Sequence, residues 1–108
     1  MDSPDSYVVV LLPAAYSDLD EIFDYIMTEN PAAVTSMLDK IMKALRRLET
    51  FPLSGTMLLE RSLKEFSFRM IVITPNVAYY RLIDNRIYIY RILHGARNQL
   101  HLLEHLPK

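Results

Sequence analysis

The feature that most constrains the fold of this 108-residue chain is a pair of strand-like runs, residues 77–83 and 86–93. Both runs are rich in β-branched and aromatic residues, which favour the extended conformation. Only Asp84 and Asn85 separate them, and a two-residue connection of this type predicts a tight β-hairpin. The chain is therefore expected to build an antiparallel sheet around this hairpin.

Two further segments are predicted to be strands. Residues 7–12 are continuously apolar, as in a buried strand, and residues 66–74 end at Pro75-Asn76. Residues 56–65 are predicted to be irregular, with a short strand near residues 57–59, and residues 1–6 to form a loose polar tail.

Residues 13–50 show the 3.6-residue periodicity of two amphipathic helices. Asn30-Pro31 separates them, because Asn is a favoured N-cap and Pro is favoured at the first helical position. So short a link predicts an antiparallel helical hairpin. The predicted apolar faces consist of Ala15, Leu19, Ile22, Phe23 and Ile26 in the first helix and Val34, Leu38, Ile41, Leu45 and Leu48 in the second.

The order of elements is β-α-α-β-β-β with a short C-terminal tail, which predicts a single α+β domain over residues 1–108. The helical hairpin covers one face of a mainly antiparallel sheet, and Leu100, Leu103 and Leu106 of the tail dock on the domain or on a partner. Strict alternation along the last strand places Ile87, Ile89, Arg91 and Leu93 on one face and Tyr88, Tyr90, Ile92 and His94 on the other.

Composition excludes several kinds of site. Cysteine is absent, so the chain has no disulfide, thiolate nucleophile or zinc–sulfur centre. His101 and His105 lie four residues apart without an acid or Cys at matching spacing, and we expect no metal and no cofactor. The sequence shows neither a signal peptide nor an apolar run of membrane-spanning length, so we expect a cytoplasmic protein that does not bind membranes.

Charge is distributed unevenly along the chain. Residues 1–60 contain four basic and ten acidic residues, a net charge of −6, whereas residues 61–108 contain eight basic and three acidic residues, a net charge of +5. The basic half is suited to an acidic partner, either a nucleic-acid backbone or an acidic protein segment. The alternative is that the two halves pair internally.

The end of the last strand concentrates groups that bind anions or move protons. Arg91 lies inside the strand, and we expect it either to pair with an acid of the helical hairpin, such as Asp24 or Glu21, or to bind a partner. His94 is a candidate general acid or base, or a residue that holds the turn at Gly95. Arg97 and Asn98 follow in the next loop.

These residues resemble the RelE/ParE superfamily of bacterial type II toxins, and the resemblance covers nearly the whole chain. It is carried by the order and spacing of several short motifs, in residues 13–22, 30–33, 48–55, 68–69, 79–81 and 91–98. The resemblance implies a small toxin that is neutralised by a cognate antitoxin. ParE-like members inhibit DNA gyrase by binding it, whereas RelE-like members enter the ribosome and cleave mRNA.

The resemblance favours the ParE branch, because its members often end this strand with His-Gly-x-Arg-Asp, although Asn98 replaces the acid here. RelE-like sites have basic residues on the middle strands, where this chain has Met70, Ile71, Val72 and Ile73. In the RelE alternative the catalytic residues are Arg97, His94 and Arg69. A third possibility is a non-toxic member that acts only in complex assembly. The residues expected to bind the target or the antitoxin are Arg81, Arg91, Arg97, Asn98, Tyr88 and Tyr90.

Overall fold

The computed structural model describes residues 7–59, 66–95 and 103, and it confirms the predicted α+β fold. The predicted loose tail, residues 1–6, lies outside this part of the chain. In chain order the elements are β1 (Val8–Leu11), α1 (Pro13–Glu29), a 3₁₀ turn (Pro31–Ala33), α2 (Val34–Thr50), β2 (Thr56–Met57), β3 (Arg69–Ile73), β4 (Asn76–Ile83) and β5 (Arg86–His94).

The five strands form one sheet in the order β1-β5-β4-β3-β2. β5 pairs antiparallel with β4, as the hairpin signal predicted, and parallel with β1. Asp84 occupies the hairpin turn with a φ of 58°, a left-handed conformation that Asp tolerates better than most residues.

The helices begin and end close to the predicted boundaries. α1 has Pro13 in its first turn, where a missing backbone N–H costs nothing. The predicted capping role of Asn30 is wrong, because its side chain makes no capping hydrogen bond and residues 31–33 form a 3₁₀ turn before α2. α1 lies against β5, and α2 lies against β1 and β3.

One face of the sheet packs on the helices and forms the larger core. Most of the predicted helical faces contribute: four of their residues are buried here, and Leu19, Ile22 and Phe23 pack against them. Ile26 and Val34 are not part of this core, and Leu38 is 46 % exposed. The buried members of this core are Ala15, Ile41, Leu45, Leu48, Ile73, Ala78, Tyr80, Ile87, Ile89 and Ile92.

The opposite face of the sheet is buried as well. Leu103 of the tail docks there on the domain at 3 % exposure, whereas Leu100 and Leu106 lie outside the described residues. Burial on both faces explains why the strands read as nearly continuous apolar runs. The buried members of this second core are Leu58, Phe68, Tyr79, Tyr90, Leu93 and Leu103.

A β-bulge in β5 corrects the predicted alternation. Tyr80 pairs with Ile89 and Tyr79 with Arg91, so Tyr90 is an extra residue without a cross-strand partner. One extra residue reverses the alternation beyond it. Ile92 therefore joins the helix-side core, and Leu93 joins the second core, opposite to the predicted faces.

Candidate functional site

Arg91, the residue that follows the bulge, meets Asp18, which lies on the buried face of α1. Arg91 Nε donates to Asp18 Oδ2 at 2.7 Å, and Arg91 Nη2 donates to Asp18 Oδ1 at 2.8 Å. Asp18 is 4 % exposed, so this two-point ion pair is largely shielded from water. Pairing with an acid of the helical hairpin was predicted, but the acid is Asp18 rather than Asp24 or Glu21.

Asp18 also accepts a hydrogen bond from the backbone N–H of Ile92, at 2.8 Å. β1 pairs with β5 only as far as Ile89, because the chain turns into α1 at Pro13. Among the described residues, no strand lies beside the edge of β5 beyond Ile89, and the carboxylate satisfies a donor that a strand would otherwise have taken. Asp18 was not among the predicted site residues, although its spacing from Ala15 and Ile22 places it on the buried face of α1.

The hydrogen bonds that Arg91 donates to Asp18 raise the pKa of Arg91 above its usual value, against the opposing effect of burial. The charges of Asp18 and Glu21 raise it further. Because the pKa of Arg91 is higher in the folded than in the unfolded protein, the ion pair stabilises the fold fully at pH values below the pKa of the unfolded state. This stabilisation declines only as the pH rises through the pKa of the folded state. Arg91 is therefore charged and paired throughout the physiological pH range.

The strand end beyond Arg91 is organised by close backbone contacts. His94 is exposed, lies opposite Asn76 in the ladder, and interacts with other groups of the protein. Gly95 N donates to Pro75 O at 2.9 Å. Gly95 does not have a positive φ, so its turn does not depend on the conformational freedom of glycine. Space is limiting instead, because a Cβ there would lie 3.0 Å from Val77 Cγ2. Arg97 and Asn98 lie outside the described residues, and their roles stay predictions.

Arg81 is held inside an aromatic cluster on the second face of the sheet. Its Nε donates to Phe66 O at 2.6 Å, and Nη1 donates to the Tyr90 hydroxyl at 3.3 Å. The guanidinium carbon lies 5.7 Å from the ring centroids of Phe66 and Phe68 and 6.0 Å from that of Tyr90, within reach of a cation–π interaction.

The two tyrosines predicted to bind a partner differ in accessibility. Tyr90 is 2 % exposed and packs edge-to-face on Phe68, with the ring centroids 5.0 Å apart. Tyr88 is half-buried against the same core. Tyr88 is therefore partly accessible at the surface, whereas Tyr90 is not.

Arg69 and Tyr80 form hydrogen bonds with the loop that follows α2. Arg69 Nη1 donates to Gly55 O at 2.9 Å and to Leu53 O at 3.3 Å. The buried Tyr80 hydroxyl accepts from Gly55 N at 2.9 Å and donates to Pro52 O at 2.8 Å. Arg69 is half-buried, and its guanidinium is occupied by these carbonyl groups.

The described part of the chain does not bring Arg69 and His94 together. Arg69 pairs with Tyr80 on one side of β4, and His94 pairs with Asn76 on the other side. Four residues along a strand span about 13 Å. The cluster expected of the RelE alternative is therefore not assembled by these two residues.

Replacing Tyr80 by Phe should cost about 1–3 kcal/mol of unfolding free energy, because the Gly55 N–H loses its acceptor while it stays buried. Burial also raises the pKa of Tyr80 above 10.0, although the Gly55 hydrogen bond and the charge of Arg69 lower it. A raised folded pKa means that stability is lost as pH rises above the unfolded value. Urea unfolding at pH 7 and above pH 10 should show a steeper alkaline loss for wild type than for Tyr80→Phe.

The control for this prediction is Tyr25→Phe, which removes a hydroxyl from a residue that is 69 % exposed on α1. We expect the free energy of unfolding at pH 7 to change by less than about 0.5 kcal/mol. Equal effects of the two substitutions would contradict the role assigned to the Tyr80 hydroxyl.

A groove of about 390 Å³ lies between α2 and the β2–β3 side of the sheet. We call it the α2–β3 groove. Its lining combines two basic side chains with strand and loop residues: Lys43, Ala44, Arg47, Leu48, Ser54, Gly55, Thr56, Met70, Ile71 and Val72.

Residues 7–59, 66–95 and 103 contain no group of three His, Cys, Asp or Glu side chains placed to hold a metal ion. His101 and His105 lie outside these residues. Within the same residues no helix combines the length and apolar character needed to cross a membrane.

The chain is similar to known proteins both in sequence and in fold. Residues 9–99 match the model of a family described as the ParE toxin of type II toxin–antitoxin system, parDE. A solved structure described as the chromosomal ParDE TA system from P. aeruginosa is similar in fold, with a TM-score of 0.67 and 19 % sequence identity. The match covers 83 % of this chain and 97 % of that chain. No curated protein matches.

Proposed function

Because this chain belongs to the ParE toxin family of type II toxin–antitoxin systems, we propose that it is a toxin that inhibits DNA gyrase by binding it in the cytoplasm. A cognate antitoxin neutralises it by covering the groove between the helices and the sheet. The observation that carries the proposal is the family match over residues 9–99, which spans the site.

The contacts of the three described arginines Arg69, Arg81 and Arg91 support protein binding over RNA cleavage. Metal-free cleavage of RNA needs a general acid and base, together with cations free to contact the scissile phosphate. Arg69 is tied to loop carbonyls, Arg81 to aromatic rings and Arg91 to Asp18. We therefore assign target contact to Arg97 and Asn98, and to Tyr88, whose side chain is half-buried.

Expression of the chain in bacteria tests this proposal. Gyrase poisoning predicts filamentation and a DNA-damage response while translation continues, and the purified protein should inhibit supercoiling by gyrase. Arg97→Ala should weaken inhibition about tenfold or more, as loss of an interface arginine does. Arg86→Ala, at the exposed start of β5, is the matched control and should leave inhibition within about twofold.

Other outcomes identify the alternatives. Immediate arrest of translation with cuts in ribosome-bound mRNA would replace this proposal by the RelE-like endonuclease. No growth effect in the absence of an antitoxin would replace both by a member that acts only in complex assembly. Unaltered inhibition by Arg97→Ala would remove Arg97 from the site under either mechanism.

A further inference from the structure

The outer edge of β3 is only partly paired in the described part of the chain. β2 is two residues long and pairs with Arg69 and Met70 alone. Residues 71–73 therefore have a described strand on one side only, at β4. Val72 is 68 % exposed on this edge. An unpaired edge offers backbone N–H and C=O groups to an added strand.

α2 runs beside this edge in a fixed alignment. Lys40 Nζ donates to Thr74 O at 2.8 Å, which places residue 40 beside the end of β3. Later residues of α2 then lie beside earlier residues of β3, and Lys43 and Arg47 reach the α2–β3 groove together with Ile71 and Val72. A strand added to this edge would therefore face the basic side chains of Lys43 and Arg47.

The two cations are available to a partner. Lys43 forms an ion pair with Asp39 at 3.0 Å, but both side chains are well exposed, at 75 % and 60 %. Such a pair contributes less than about 1 kcal/mol and exchanges readily. Arg47 is exposed, and no ion pair of Arg47 occurs within residues 7–59, 66–95 and 103.

The spacing of these groups defines the segment that fits. Lys43 and Arg47 are one helical turn apart, about 5–6 Å between Cβ atoms, and alternate residues of a strand are about 6.6 Å apart. Residues opposite Ile71 and Ile73 would project toward α2, because paired residues share a face. The residue between them would lie beside Val72 on the other face.

We propose that the edge of β3 at residues 71–73 binds an extended segment of the antitoxin in which two acidic residues flank an apolar one. The acids meet Lys43 and Arg47, and the apolar side chain packs on Val72. This inference rests on the antitoxin partner of the proposed function. Pairing with a second copy is disfavoured, since it would bring the basic residues of two copies together.

A peptide titration tests the surface directly. The probe is a labelled nine-residue peptide of alternating Glu and Val, and its control has Gln in place of Glu. We expect the Glu peptide to bind the full chain at least about fivefold more tightly than the Gln peptide, with the difference shrinking in high salt. Amide NMR shifts should concentrate at residues 71–73.

Two neighbouring arginines provide the matched variants. Arg47→Glu should weaken binding of the Glu peptide about tenfold, because an attraction becomes a repulsion. Arg46→Glu makes the same change of charge one residue away, outside the groove lining, and should alter binding by less than about twofold. Circular dichroism of both variants establishes that they are folded.

Three results would overturn the proposal: equal weakening by both variants, amide shifts away from residues 71–73, or self-association through this edge in sedimentation. The titration does not require toxicity. A non-toxic chain that binds the Glu peptide as described refutes the proposed function and supports the surface. A toxic chain that does not bind the Glu peptide refutes the proposed surface at residues 71–73 and supports the proposed function.

Discussion

Replacing Asp18 by Ala will destabilise the protein by about 3–5 kcal/mol, the usual cost of removing one partner of a buried ion pair. The substitution leaves the guanidinium of Arg91 without its counter-charge, although the Arg91 side chain is only 18 % exposed. It also leaves the Ile92 N–H without its acceptor. Because marginal domains have only about 5–15 kcal/mol of stability, urea unfolding should show a much lower midpoint.

Two further variants separate the loss of the charge beside Arg91 from the loss of the acceptor for the Ile92 N–H. Asp18→Asn keeps an oxygen for the Ile92 N–H but removes the charge, so its cost should fall to roughly half that of Asp18→Ala. Asp39→Ala removes an acid from the exposed pair with Lys43 and should cost less than about 1 kcal/mol. Similar costs for Asp18→Ala and Asp39→Ala would contradict a buried role for Asp18.

Replacing Gly55 by Ala should cost about 2–3 kcal/mol, as insertion of a methyl group into a closely packed region does. The added Cβ would lie 2.5 Å from the Tyr80 hydroxyl oxygen and 2.7 Å from Met70 O. Met70 O is a backbone atom of β3, at the position that pairs with β2, and it cannot move without moving the strand. The loop must shift instead, and it then loses the hydrogen bond from Gly55 N to Tyr80.

The other glycine of the chain provides the control. In Gly95→Ala the nearest atom is a methyl group of Val77 at 3.0 Å, which can give way by a small side-chain movement. Its cost should be about 1 kcal/mol. Thermal unfolding of both variants measures the difference, and a smaller loss for Gly55→Ala than for Gly95→Ala would be inconsistent with the crowding seen at the Tyr80 hydroxyl.

Local patterns account for the parts of the fold that sequence predicted well. The periodicity around Ala15 and Ile41 identified two helices, and Asp84-Asn85 identified the hairpin, because each signal depends on neighbouring residues alone. The bulge at Tyr90 escaped prediction since it depends on the register between β4 and β5. A strand that is apolar on both faces gives no sign of where its alternation reverses.

The candidate site was predicted less completely for a similar reason. The residue types at the strand end were identified, but the partner of Arg91 lies 73 positions away on α1. The environment of Arg81 depends on Phe66 and Phe68, which belong to a neighbouring segment. Contacts of this kind arise from tertiary packing, which short-range patterns in a sequence do not encode.

The parallel pairing of β1 with β5 joins almost the first described residues of the chain to the last described strand. Val8 lies opposite Arg86, and Leu11 lies opposite Ile89. A chain emerging from the ribosome from its N-terminus therefore cannot join β1 to its sheet until β5 has been made. Since such distant pairing must wait for the whole intervening chain, folding is tied to the end of synthesis, and an incomplete product that stops before β5 leaves β1 without its strand partner and α1 without the strand that it packs on.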